Sequence, residues 1–231
     1  MGTAHPDEFL LIGTALFVLQ SFIPAFYNYP SLYIYLAALA VLVGSAYGVV
    51  NTPADTYLAA RVVTAAMGIG AVAAIYWAGK SAYGRAVALA AAIVLAVAPL
   101  HVQHSHFATV DVPSTLLIAL ALGFTALIIR RGSWRDYILA GVMSGLAAGT
   151  KYNAGLVLLS PLAAHFVRVE PATAPGRWTR PLVMAGCAAA AFVISTPGAI
   201  LRWDQFTHGL LYELRHSAEG HGLVFAGTGN G

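Results

Sequence analysis

Two adjacent carboxylates, Asp7 and Glu8, stand near the start of a chain that then runs through apolar residues to its next charge at Asp55. Neighbouring side chains point in different directions, so at most one of the two can act on a single reacting atom. A carboxylate held beside a hydroxyl is a proton acceptor. The plain alternative is a solvated loop with no role beyond topology. A third acid, Asp111, precedes Val112, Pro113 and Ser114 at the head of an apolar run. An acid there with proline in the first turn is ordinary helix-capping chemistry, which is compatible with a second role. Just upstream, "HVQHSH" carries His101, His104 and His106. Histidines beside an acid can ligate a divalent metal, but this spacing matches no closed site and no thiolate helps. No metal site and no cofactor is therefore assigned, and a divalent metal is left open.

Lys151 is the costliest residue in the sequence. It lies in "TKYN" between two apolar runs of about 14 residues, each about 21 Å long as a helix, which recesses this break below a membrane surface. An unpaired lysine at depth costs about 2.5 to 3.5 kcal/mol on insertion scales, so Lys151 should face a polar cavity. Snorkelling of its stem is the alternative, and for Arg61, at the start of a run, snorkelling accounts for the charge as well as ligand binding does. Near the end, "YELRHSAEGHG" gathers Tyr212, Glu213, Arg215, His216, Glu219 and His221. Glu213, His216 and Glu219 recur at helical spacing and can share a face; a solvated amphipathic helix explains them equally well.

The elements that must position these groups belong to a membrane. Of 231 residues 59% are hydrophobic and only 9% charged, and the mean hydropathy is +0.74, against roughly a quarter charged in soluble domains. The lone Cys187 excludes an intrachain disulfide, and a net charge of +3 gives no reason to expect a nucleic-acid partner. Charge-free runs at 31–50, 62–79, 86–100, 112–129, 137–150, 154–167 and 182–201 are helix candidates. Lys80 with Arg85, then Arg130, Arg131 and Arg135, then Arg168, Arg177 and Arg180 mark three connections as cytoplasmic. From Tyr57 onward this gives six crossings. The run 31–50 either crosses or lies along the outer leaflet; its tyrosine-rich start (Tyr27, Tyr29, Tyr33, Tyr35) and Gly44 and Gly48 suit an interfacial segment. Small-residue stretches such as "AGCAAAAF" are explained by close helix packing. No signal peptide is visible, and the chain is expected to be part of a longer protein.

Taken in order, "HPDE", "NYPSLYIYL", "LAARVVTAAMG", "PLHVQHSHFATVDVPSTLLIALAL", "GLAAGTKYNAGLVLLSPL" and "STPGAILRWDQFTHGLLYELRHSAEGHG" resemble glycosyltransferase family 39 and its bacterial relatives, both the protein O-mannosyltransferase-like and the aminoarabinose-transferase-like. The resemblance covers nearly the whole chain. It implies an all-α, polytopic membrane protein of the GT-C type in one module: a first outer loop over 1–56 with a juxtamembrane helix at 31–50, six spans over 57–201 and an outer loop over 202–231. It also implies inverting transfer of a sugar from a polyprenyl-phosphate-linked donor to a hydroxyl of a protein, lipid or glycan, at the extracytoplasmic side of the cell membrane. The site residues it implies are Asp7 with Glu8 as the acidic base and Asp111 as the acid of a second outer loop, with the final loop that carries His216 and His221 closing over the donor; from the residues themselves, Lys151 and Tyr152 are expected to hold the carrier phosphate and His104 and His106 to hydrogen-bond a phosphate or sugar. One carboxylate suffices for that reaction, because the phosphate leaves without protonation, unlike the leaving group in glycoside hydrolysis. Two other readings stay open. A secondary transporter also joins broken helices at a polar break, and a non-catalytic membrane scaffold would need none of these groups.

Overall fold

The computed structural model describes residues 5–168 and 176–219, and among these there are helices and turns but no strand. The protein is an all-α membrane protein. Helix α1 (Pro6–Ser21) was not among the expected elements. His5 caps it by accepting the Asp7 N–H on its ring at 3.3 Å, Pro6 occupies the first turn, and Asp7 and Glu8 lie where the helix dipole favours acids. It ends at Phe22, which takes a left-handed φ of 62° two residues before Pro24. Helix α2 (Leu32–Ala46) falls within the expected run 31–50. It packs on α1 through Leu11, Ile12 and Ala15 against Tyr33, Ile34 and Ala37.

Helix α3 (Pro53–Tyr83) begins with a reciprocal Thr52–Asp55 capping box and stops at Gly84, whose φ of 94° only glycine adopts without strain. At 31 residues it is about 46 Å long, more than the roughly 30 Å of hydrocarbon, and longer than the expected run. It packs lengthwise on α6 (Asp111–Arg130); these two are long and apolar enough to cross a bilayer. Between them lie α4 (Arg85–Val97) and the single-turn α5 (Pro99–His104).

Helix α7 (Trp134–Ala148) opens on a second capping box, Ser133 with Asp136, and lies against α9 (Thr179–Ser195). A Cβ at Gly141 or Gly145 would collide with the carbonyl oxygens of Met184 or Ala188, so these glycines are the surface on which α9 rests. The break after α7 is real: Lys151 is extended, Tyr152–Leu158 forms a 3-10 turn, and α8 (Leu159–Val167) continues. The expected run 182–201 is likewise divided, into α9 and the one-turn α10 (Gly198–Leu201), before α11 (Trp203–Glu219).

Two features set the ends of the bundle. Arg130 donates to the Ser81 carbonyl and Arg168 to the Ile128 carbonyl, which gathers the basic connections at one end. At the other end, the Leu32 N–H donates to the Gly149 carbonyl and the Ser31 N–H to Thr196 Oγ1, tying the start of α2 to the ends of α7 and α9.

Candidate active site

The two adjacent acids at the start of α1 have separate fates. Glu8 is fully covered. Its carboxylate accepts two bonds of 2.7 Å from the Arg61 guanidinium on α3 and a third, also 2.7 Å, from the Ala108 N–H. Burial alone would raise its pKa; the Arg61 and Ala108 bonds outweigh that and hold the carboxyl below the ordinary glutamate value of 4.5. The snorkelling explanation for Arg61 therefore gives way to an ion pair. Glu8 has its hydrogen bonds turned inward, and what it does in this geometry is fasten α1 to α3 and to the segment ahead of α6.

Asp7, one residue earlier, keeps about a third of its side chain exposed. It accepts a bond of 3.1 Å from the Tyr29 hydroxyl, and His5 Nδ1 stands 3.9 Å from its carboxylate. Burial pushes the Tyr29 phenol well above its usual range, and the charges of Asp7, Glu213 and Asp111 push it the same way. Tyr29 thus stays a neutral donor, bonded to Asp7 and lining the same cavity as Glu213. No sequence signal beyond the tyrosine-rich "YNYP" turn marked this residue.

Asp111 is the first residue of α6, and its carboxylate caps nothing. It bonds Lys151 Nζ at 2.7 Å and faces His104 Nδ1 at 3.5 Å. Lys151 has a fixed partner, which the sequence alone did not reveal. The His104 ring stands edge-on to His5 at 5.7 Å, so Asp7, His5, His104 and Asp111 form a continuous row across the helix ends.

A cavity of 570 Å³ opens beside this row, walled by Tyr29, Lys151, Tyr152, Asn153, Phe192 and Glu213 among others. Tyr152 presents its ring there, while its hydroxyl donates to the Tyr27 carbonyl at 2.7 Å and holds the 3-10 turn against the chain ahead of α2. Helix α11 is seated by Phe206 against Tyr27 and Ala199, which carries Glu213 to the cavity wall. His106 is not brought to this site. Helix α5 ends at His104, and the turn that follows directs His106 Nδ1 to the Val102 carbonyl, beside a separate groove that it shares with His101. His216 lies in α11 with its side chain outside the described residues, and His221 lies outside them altogether. Among the described residues no three metal-ligating side chains converge closely enough to hold an ion.

No curated protein and no solved structure matches the chain. A family model described as dolichyl-phosphate-mannose-protein mannosyltransferase matches residues 49–200. That stretch includes Arg61, His104, Asp111 and Lys151 and leaves Asp7, Glu8 and α11 outside. Two thirds of the chain thus follows the family pattern, and with two helices able to cross a bilayer the chain belongs to the dolichyl-phosphate-mannose-protein mannosyltransferase family of membrane glycosyltransferases.

Proposed function

We propose that the chain transfers a sugar from a polyprenyl-phosphate donor to an acceptor hydroxyl, with inversion, at the extracytoplasmic face of a multi-pass module. One observation carries this reading: Lys151, held by the Asp111 carboxylate, and Tyr29, whose hydroxyl donates to the partly exposed carboxylate of Asp7, line one cavity at the end of the bundle opposite the basic connections. By the positive-inside rule the basic end faces the cytoplasm, which puts the cavity outside.

In this reaction the acceptor oxygen attacks the anomeric carbon from the face opposite the phosphate. The bond from that carbon to the phosphate oxygen breaks as the new one forms, and the hydroxyl proton passes to Asp7. The Tyr29 hydroxyl steadies Asp7 by donating to one oxygen and leaving the other to receive the proton. The departing polyprenyl phosphate gains negative charge, and Lys151 stabilises it as a fixed cation at the cavity wall. Asp111 keeps Lys151 in place and offsets its charge before the donor arrives; His104 Nδ1 stands 3.5 Å from Asp111 on the other side. Glu8, sealed against Arg61, positions α1 and with it Asp7.

The test is incubation of the protein in nanodiscs with radiolabelled polyprenyl-phosphate sugars and an acceptor extract, followed by mass spectrometry of the lipid phosphates. Release of polyprenyl phosphate together with labelled acceptor is the expected result. Retention of label on the lipid under all conditions would overturn the reading; movement of the intact donor across the bilayer without transfer would favour the transporter.

A further inference from the structure

The cavity contains a group that the transfer chemistry leaves unused. Glu213 lines it together with Lys151, yet the two are not in ion-pair contact, and among the described residues Glu213 has neither an ion pair nor a hydrogen bond. It shares the cavity wall with Tyr29 and Tyr152. An unbonded carboxylate is a poor neighbour for a phosphate, since both are anionic. It is a good neighbour for hydroxyl groups, because an ionised carboxylate is purely an acceptor with room for several donors.

The surroundings suit the same ligand. Asn28 and Asn153 add amides at the wall, while Tyr29, Tyr152 and Phe192 add aromatic surface for the C–H face of a sugar ring. The cavity is therefore polarised, with a cation on one wall and an uncommitted anion on another.

We propose that Glu213 is a specificity-determining residue that accepts hydrogen bonds from hydroxyls of the transferred sugar, so that the sugar sits towards Glu213 while the phosphate sits towards Lys151. This rests on the transfer reaction proposed above and adds to it which group reads the sugar. Helix α11, which carries Glu213, lies outside the stretch 49–200 that the family model matches. A carboxylate that accepts from one or two hydroxyls favours the hydroxylated donor over its deoxy analogue by about ten- to a hundredfold, the range of a hydrogen bond to a charged group.

The experiment uses dolichyl-phosphate mannose and its four singly deoxygenated analogues with the wild type, Glu213→Gln and Glu213→Ala in nanodiscs. Equilibrium binding and kcat/KM are measured for each pair. The expected wild-type pattern is a ten- to hundredfold loss for one or two of the analogues. Glu213→Ala should bind those analogues as well as it binds the parent, so that the discrimination collapses, and Glu213→Gln should keep part of it. Equal losses across all five donors, or discrimination unchanged in Glu213→Ala, would overturn the role of Glu213 while leaving the transferase intact. Absence of transfer by the wild type with any donor would instead strike the proposed reaction, and the binding measurements would still decide whether Glu213 reads hydroxyls.

Discussion

Glu8 and Arg61 meet through two bonds of 2.7 Å across 53 positions of sequence, with the carboxylate wholly covered and the guanidinium about one-third exposed. The pair fastens the start of α1 to α3 and thereby fixes the neighbouring Asp7. Removing one partner leaves a buried charge unmatched. Arg61→Met should cost about 3 kcal/mol, the low end of the range for breaking a buried pair given the exposure of the guanidinium. The check is the melting temperature in detergent, alongside Glu8→Gln, which should cost less because it leaves no buried charge. An unchanged melting temperature in Arg61→Met would show that the pair contributes nothing to stability.

The same pair sets a pH dependence. The carboxyl of Glu8 has a lower pKa in the folded protein than the ordinary 4.5, so the folded state binds its proton less readily than the unfolded chain does. Its stabilisation is therefore fully present above about pH 4.5 and lost as the pH falls through the folded value. The advantage of wild type over Glu8→Gln should be constant from pH 7 to 5 and shrink below 4.5. A gap that stays constant down to pH 3 would rule out this linkage.

Asp7 is partly exposed where Glu8 is sealed, and the assignment of the base to Asp7 makes a kinetic prediction. Asp7→Asn should lower kcat by about 10²- to 10⁴-fold with little change in donor binding, because a base acts on the acceptor proton in the transition state. Tyr29→Phe, which removes only the donor to Asp7, should lower kcat far less. Loss of donor binding with unaltered turnover in Asp7→Asn would make Asp7 a structural residue.

Much of this arrangement could be read in the sequence, and what could not has identifiable causes. Charge-free runs found α2, α3, α4, α6, α7, α8 and α9, because apolar length is written in composition. Helix α1 was missed: its run is bounded by Asp7 and Glu8 on one side and by "NYP" on the other, with no basic flank to mark it. The polar break at Lys151 was legible from the two short runs around it. Its partner was not, since Asp111 lies 40 positions away and carries every local sign of a cap. Arg61 was ambiguous for the same reason: a charge at a helix end looks identical whether it meets solvent or a carboxylate 53 positions earlier. The histidine triplet read as one cluster, but the end of α5 at His104 sends His106 elsewhere, a change of direction that spacing alone does not encode.

The sidedness of the cavity is open to labelling. With Cys187→Ala as background, Asp7→Cys, Asp111→Cys and Glu213→Cys should all react with an impermeant thiol reagent applied from outside, and Lys80→Cys and Arg130→Cys should not. Protection of position 7 alone would place α1 across the membrane from the other two and dissolve the shared site.

The last prediction concerns the 2.7 Å bond between Lys151 and Asp111. If Lys151 serves the leaving phosphate, Asp111 competes with that phosphate for the same ammonium. Lys151→Met should then weaken polyprenyl-phosphate binding by about ten- to a hundredfold, the contribution of a charge-assisted bond, and Lys151→Arg should recover only part because its fork presents donors differently. Asp111→Asn should act in the opposite direction and tighten phosphate binding, because it leaves the cation without its competing partner; the same change should lower thermal stability, since the lysine then lies in a recessed break with less compensation. In the double variant Asp111→Asn with Lys151→Met, stability should return towards wild type while phosphate binding stays weak. A lysine that only neutralises Asp111 gives a different pattern: the wild type and all four variants would bind the carrier equally and differ in stability alone. Carrier affinity in nanodiscs, measured beside melting temperature for the four, separates the two cases.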